Sequence, residues 1–132
     1  MRVLIMGCGR VGASLARSLA EEQHEVVVID VNIGVFRRLP NHPGIQPVAA
    51  DGTLQEDLRR AGIQKADVFI GVAAGDARNA MAAQMARHVF NVPKVICRFK
   101  DPVREKMYSS MGYETISPTS IVSKLILEAV QK

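Results

Sequence analysis

A short apolar run, Val3 to Met6, passes straight into the glycine-rich segment Gly7-Cys8-Gly9-Arg10-Val11-Gly12, where helical spacing begins at once. Three glycines at this spacing leave the chain few choices. The first permits a sharp turn, the second lets another group approach the backbone closely, and the third allows a helix to lie against the strand it follows. Strand, tight turn and helix in that order are the first half of a βαβ unit. The free N–H groups and positive dipole end at the start of such a helix attract anions without help from a side chain.

The rest of the chain repeats that alternation. Runs of β-branched and apolar residues recur at Glu25 to Ile29, Val48 to Ala50, Val68 to Val72, Lys94 to Cys97 and Glu114 to Ile116. Between them, Val11, Leu15 and Leu19, then Leu54, Leu58 and Ala61, then Met81, Met85 and Val89 keep helical spacing. Helix starts are marked by Asn32, by Thr53 with Glu56 as a capping box, by Asp76, by Asp101 before Pro102 and by Ser117 before Pro118. Pro47 suits the start of the third strand. Near-continuous apolar strands imply burial on both faces. The expected fold is therefore α/β, a Rossmann-type doubly wound parallel sheet of about six strands with helices on both faces. Residues 1–132 read as one domain with no internal boundary. The last segment, about 118–131, carries Ile121, Val122, Leu125, Ile126, Ala129 and Val130 on one stripe. That stripe either packs on the domain's own sheet or serves as a dimer face or a lead into a further domain.

Composition limits what such a domain can be. With 48% hydrophobic and 23% charged residues the chain reads as soluble and globular. Its longest apolar run, Val68 to Ala74, is far short of the roughly 20 residues a membrane helix needs, and Val3 to Met6 is too short for a signal peptide. A cytoplasmic location is expected. Cys8 and Cys97 have no metal-ligand spacing and read as reduced thiols. The net charge of +4 is scattered, Arg37-Arg38 and Arg59-Arg60 included, which suits solvated helix faces better than a nucleic-acid surface.

Asp30 closes the second apolar run, where a carboxylate can accept hydrogen bonds from ribose hydroxyls and would repel a 2′-phosphate, disfavouring NADP. Asp51 ends the third run, Ala73 and Ala74 follow the fourth, and Arg98 ends the fifth. In an open α/β sheet these positions ring one crevice. Asp51 and Thr53 either meet an adenine or cap a helix, and Asp76 and Asn79 face the same choice. Arg98, a guanidinium at the end of a buried strand, needs an anion, with phosphate favoured. Arg10 can lean over a di- or triphosphate. Cys8 sits beside the turn without a redox partner. His24, His42 and His88 stand apart from any matching acid or nucleophile, and neither Tyr108 nor Tyr113 is followed by the lysine of short-chain reductases. The expectation is an adenine-nucleotide site with no catalytic residue and no metal ligand.

The opening V-L-I-M-G-C-G-R-V-G, then V-V-I-D at 27–30, A-D-G-T at 50–53, A-G-D-A-R-N at 74–79, V-I-C-R-F at 95–99 and I-S-P-T at 116–119 together resemble the RCK or KTN domain. This is the TrkA-type N-terminal lobe of cytoplasmic potassium-transport regulators, and the resemblance runs from Met1 to about Val130. It implies phosphates on Gly7, Cys8, Gly9, Arg10, Val11 and Gly12, ribose on Asp30, adenine near Asp51, Gly52 and Thr53, and further contacts at Ala73, Ala74 and Arg98. It also implies a homodimer or ring beneath a membrane-embedded potassium channel or transporter, peripheral to the inner membrane face. There ATP, ADP, NAD or NADH would alter ring shape and hence ion flux. The closing segment becomes a crossover or dimer helix. Members of the family usually carry a second, C-terminal lobe, whereas this chain stops at Lys132. Two other readings stay open: a small NAD-dependent oxidoreductase completed by a partner chain, and a structural dimerisation module with an empty crevice.

Overall fold

The computed structural model describes every residue from Met1 to Lys132. Six strands, β1 (Arg2–Met6), β2 (Glu25–Asp30), β3 (Ile45–Ala49), β4 (Val68–Gly71), β5 (Lys94–Arg98) and β6 (Glu114–Ile116), form one sheet. Every neighbouring pair is parallel, in the order β3-β2-β1-β4-β5-β6. The doubly wound sheet expected from the alternation is therefore present, and the order reverses between β1 and β4. Helices α1 (Arg10–Glu21), α2 (Gln55–Arg60), α3 (Asp76–His88), α4 (Pro102–Ser110) and α5 (Pro118–Val130) follow β1, β3, β4, β5 and β6.

Alternate strand residues separate two cores. Val3, Ile5, Val26, Val28, Val68 and Ile70 pack under α1, while Leu4, Met6, Ile29 and Phe69 pack under α2 and α3. Burial on both faces is what the continuous apolar strands predict.

The helices bury other residues than the apolar spacing marks. On α1 the buried positions are Gly12, Ala13, Ala16 and Ala20, with Leu15 and Leu19 only half-buried. On α3 they are Asn79, Ala80, Ala82, Ala83 and Ala86, while Met81 and Val89 are 55% and 46% exposed. A helix that lies close on a sheet selects small side chains at the contact and turns its large ones outward.

Four local expectations change. Asn32 caps not an α-helix but a 3₁₀ segment, Ile33–Arg38, its side chain accepting from the Gly34 N–H. Pro47 lies inside β3 rather than before it, which an edge strand tolerates because one side of its ladder is unpaired. Thr53 and Glu56 form no capping box, since α2 begins after Leu54 and the Thr53 hydroxyl turns back to Asp51. Asp76 is the first residue of α3 and does not cap it. Asp101 and Ser117 do cap α4 and α5.

The reading in which the last helix packs on its own sheet is overturned: nothing from Thr119 to Lys132 is buried. Leu125, Ile126 and Leu127 are more than half exposed. No helix is long and apolar enough to cross a membrane.

Candidate functional site

The glycine turn is held by packing at two of its three glycines. Gly7 donates to the Ile29 carbonyl at 2.9 Å and has φ +110°, and a Cβ there would stand 2.8 Å from the Ala73 nitrogen. A Cβ on Gly12 would meet the Gly7 carbonyl oxygen at 1.8 Å. Gly9 differs. Its φ is −79°, and a Cβ would find nothing within 4 Å. Packing therefore requires glycine at 7 and 12, whereas at 9 it leaves open space.

That space lies over the start of α1, which has no side-chain cap and no acid in its first turn. Its first backbone N–H groups therefore lack intrahelical partners and face a crevice of about 460 Å³. Gly7, Cys8, Gly9, Arg10, Val11, Asp30, Ala73, Ala74 and Arg98 all line that crevice, at the carboxyl ends of the strands. Gly12, Asp51, Gly52, Thr53, Asp76 and Asn79 do not line it. Arg38 and Arg78 do, and sequence reasoning did not assign them. Arg78 belongs to the A-G-D-A-R-N segment, and Arg38 to a basic pair whose local pattern suits a solvated face.

Asp30 already braces the turn, its Oδ2 accepting from the Cys8 N–H and its Oδ1 from the Asn32 N–H, both at 2.9 Å. A carboxylate has about four lone-pair sites, so acceptor capacity is left for a ligand hydroxyl. The Cys8 thiol is fully buried, and burial, then the charge of Asp30, pushes its pKa up against the opposing pull of Arg38. It stays a packed thiol rather than a nucleophile. Arg38 reaches over to the Cys8 carbonyl at 3.4 Å. Arg10 is exposed.

The frame behind the opposite wall, on the α2 and α3 face, is closely bonded. Asn79, 1% exposed, accepts from the Ala73 N–H at 2.9 Å and donates to the carbonyls of Ala73 and Arg98. Arg98 donates to the Val72 and Ala73 carbonyls at 3.0 Å. Asp76 accepts from the N–H groups of Lys100 and Asp101 at 2.8 and 3.1 Å. Asp51 Oδ1 accepts from the Thr53 N–H, the Thr53 hydroxyl and Arg78, at 2.9, 2.6 and 2.9 Å. The Thr53 hydroxyl bond, then its N–H, holds the Asp51 carboxyl below its ordinary value, with Arg78 adding to this. Gly52 rides on Met6, whose sulfur would be 2.1 Å from a Cβ. Beneath this wall, burial pushes the Cys97 thiol up to about 12.

A second cavity, of about 440 Å³, opens between the starts of β1 to β3 and α2, where Arg2 and Glu25 pair with each other. It lies at the amino ends of the strands, away from the edge where doubly wound sheets take their ligands.

A parallel doubly wound sheet with an open, glycine-lined crevice at its switch point defines a Rossmann-type domain. The chain belongs to the TrkA-N domain family, whose model matches residues 3–118. It is 43% identical over 117 residues to the Trk system potassium uptake protein TrkA of Streptomyces coelicolor, covering 89% of this chain. It spans about half that relative, 52% of its length. Among solved structures it resembles the TrkA-N domain of inner membrane protein ybaL from Escherichia coli, with a TM-score of 0.83 and 20% identity, covering 97% and 95% of the two chains. GsuK bound to ADP superposes with a TM-score of 0.79 at 22% identity, covering 95% of this chain and 32% of that one.

Proposed function

We propose that this chain is the nucleotide-sensing domain of a potassium uptake system, binding an adenine nucleotide in the glycine-lined crevice and passing its state on through a dimer or ring. The observation that carries the reading is the contrast within the turn. Gly7 and Gly12 are required by the fold, but the space at Gly9, above unpartnered helix donors and beside Arg10, suits an approaching polyphosphate. Asp30 would then accept from ribose, with the base toward Ala50 and Asp51. The Streptomyces relative's name supports the transport role, and GsuK bound to ADP supports the ligand class.

The exposed stripe of α5 supports a second copy as partner, since monomers seldom leave large contiguous apolar patches in water. A membrane-embedded transporter would then hold the assembly at the cytoplasmic face of the membrane. We take the domain to be a sensor and not a catalyst, its ligands acting by differential affinity for two arrangements.

Thermal unfolding with saturating ATP, ADP, AMP, NADH and NAD tests the binding. Ligand at 100 times its Kd adds about 2.7 kcal/mol to stability. Unequal shifts that disappear in Arg10→Gln support a sensor of phosphate state. No shift with any of the five overturns the reading, and steady hydride exchange with a carbonyl substrate would replace it with an oxidoreductase. Sedimentation of Leu125→Glu against the native chain tests the dimer: a native chain that is monomeric at every concentration refutes it.

A further inference from the structure

We infer that Arg78 is the platform on which the nucleotide base lies, a role that rests on the nucleotide reading above and adds to it the means of base selection. No aromatic side chain lines the crevice, so a planar heterocycle entering it finds no ring to stack on. The planar surfaces available are the guanidinium groups of Arg10, Arg38, Arg78 and Arg98. Three of these belong elsewhere. Arg10 stands in the glycine turn, Arg38 reaches the Cys8 carbonyl of that same turn, and Arg98 is tied to the Val72 and Ala73 carbonyls below the far wall.

Arg78 alone is held by an acid. Its Nη2 lies 2.9 Å from Asp51 Oδ1, and that oxygen is itself fixed by two bonds from Thr53. Two consequences follow. Because Asp51 meets its charge, Arg78 is a poor phosphate receptor beside Arg10. Because it is anchored through Nη2 and lines the crevice, its plane has less orientational freedom to lose, the condition under which a guanidinium stacks well on an aromatic ring. Val31 also lines the crevice, so apolar surface is available to a base as well as the guanidinium.

The test is calorimetric titration of ADP, UDP and inorganic tripolyphosphate into the native chain and into Arg78→Gln, Arg78→Lys and Asp51→Asn, each first shown to keep its unfolding midpoint above the assay temperature. The expected result is that Arg78→Gln and Arg78→Lys weaken ADP about three- to thirtyfold, the range a cation–π contact supplies. Tripolyphosphate binding should change less than about twofold on the same basis, and the preference for ADP over UDP should collapse. Asp51→Asn should weaken ADP too, by freeing the guanidinium. Equal weakening of ADP and tripolyphosphate would make Arg78 a phosphate ligand and overturn the inference, as would an unchanged ADP affinity in both Arg78 variants. If the native chain binds tripolyphosphate but prefers neither nucleotide to it, the crevice reads no base and the inference falls while an anion site stands. If it binds none of the three, the nucleotide reading falls as well.

Discussion

The two walls of the crevice use their polar groups in opposite ways. On the α1 side the first N–H groups of the helix lack side-chain partners and Gly9 faces open space. On the α3 side Arg98, which lines the crevice, and Asn79, Asp76 and Asp51, which stand behind the lining, are all bonded to the protein. One wall is left open by rigid packing beneath it; the other is a frame made rigid by its own hydrogen bonds. The difference teaches that polar residues conspicuous in a motif can be occupied with building the site, while on the open wall the backbone itself is among the groups free to meet a ligand.

The largest expected effect lies within the open wall itself. Gly12→Ala forces a methyl into the Gly7 carbonyl, and backbone pressed on backbone cannot relax as a side chain can. A loss of about 3 kcal/mol or more is expected, at the upper end for overpacking. Gly9→Ala should stay within about 0.5 kcal/mol of native, as surface changes do, while reducing affinity for ADP. Parallel denaturant unfolding of the two variants decides it. If both lose stability equally, the open space at Gly9 has no special meaning.

On the framed wall, Asn79→Ala removes an acceptor and two donor bonds from a fully buried position. Leaving the Ala73 N–H and the Arg98 carbonyl unpaired should cost about 2 to 3 kcal/mol. Hydrogen exchange at the Ala73 amide should accelerate with it. A loss below about 0.5 kcal/mol, the range of an ordinary surface change, would mean that the frame is held by Arg98 instead and that the two walls differ little in rigidity.

Much of this was legible in the sequence, for reasons that differ by element. The sheet was readable because every strand but the edge pair is buried on both faces and so is apolar without interruption. Gly7 and Gly12 were readable because close backbone approach leaves only one residue type. Asp101 and Ser117 were readable because a cap acts within its own turn. What escaped depends on tertiary distance. Met81 and Val89 have core-like spacing, yet α3 lies so close on the sheet that alanines fill the contact. Arg78 acquires its partner only because the loop after β3 returns across the sheet over Met6, and no local pattern announces that crossing. The exposed face of α5 was visible as a stripe, but a stripe does not say what covers it.

A smaller effect is expected at Asp76, which ties α3 to the turn between β5 and α4. That turn also receives the Thr119 hydroxyl on the Lys100 carbonyl, at the root of α5. Asp76→Ala should cost about 1 to 2 kcal/mol by freeing two amides, and exchange at Lys100 and Asp101 should rise. If the protection of α5 itself is unchanged, the frame ends at the turn. If it falls, the frame extends to the helix proposed to carry the signal.

The smallest effect separates the framed wall's charge from its hydrogen bonds. The Asp51 carboxyl is held below its ordinary 3.8, chiefly by the Thr53 hydroxyl. A carboxyl depressed by folding contributes stability that is fully present above the unfolded value and is lost as pH falls through the folded one. Native stability should therefore decline below pH 3.8 in part through Asp51. Thr53→Val keeps the branched shape and removes the hydroxyl, so its Asp51 should titrate closer to 3.8. The variant should be less stable than native at pH 6 by about 1 kcal/mol, the worth of one half-buried hydrogen bond. That gap should narrow as pH falls below 3.8 and on through the folded-state value of Asp51, because a protonated Asp51 gains less from the hydroxyl. A gap that stays constant while Asp51 becomes protonated would assign the loss to the methyl's packing, and Thr53 would then belong to the fold of the wall and not to its electrostatics.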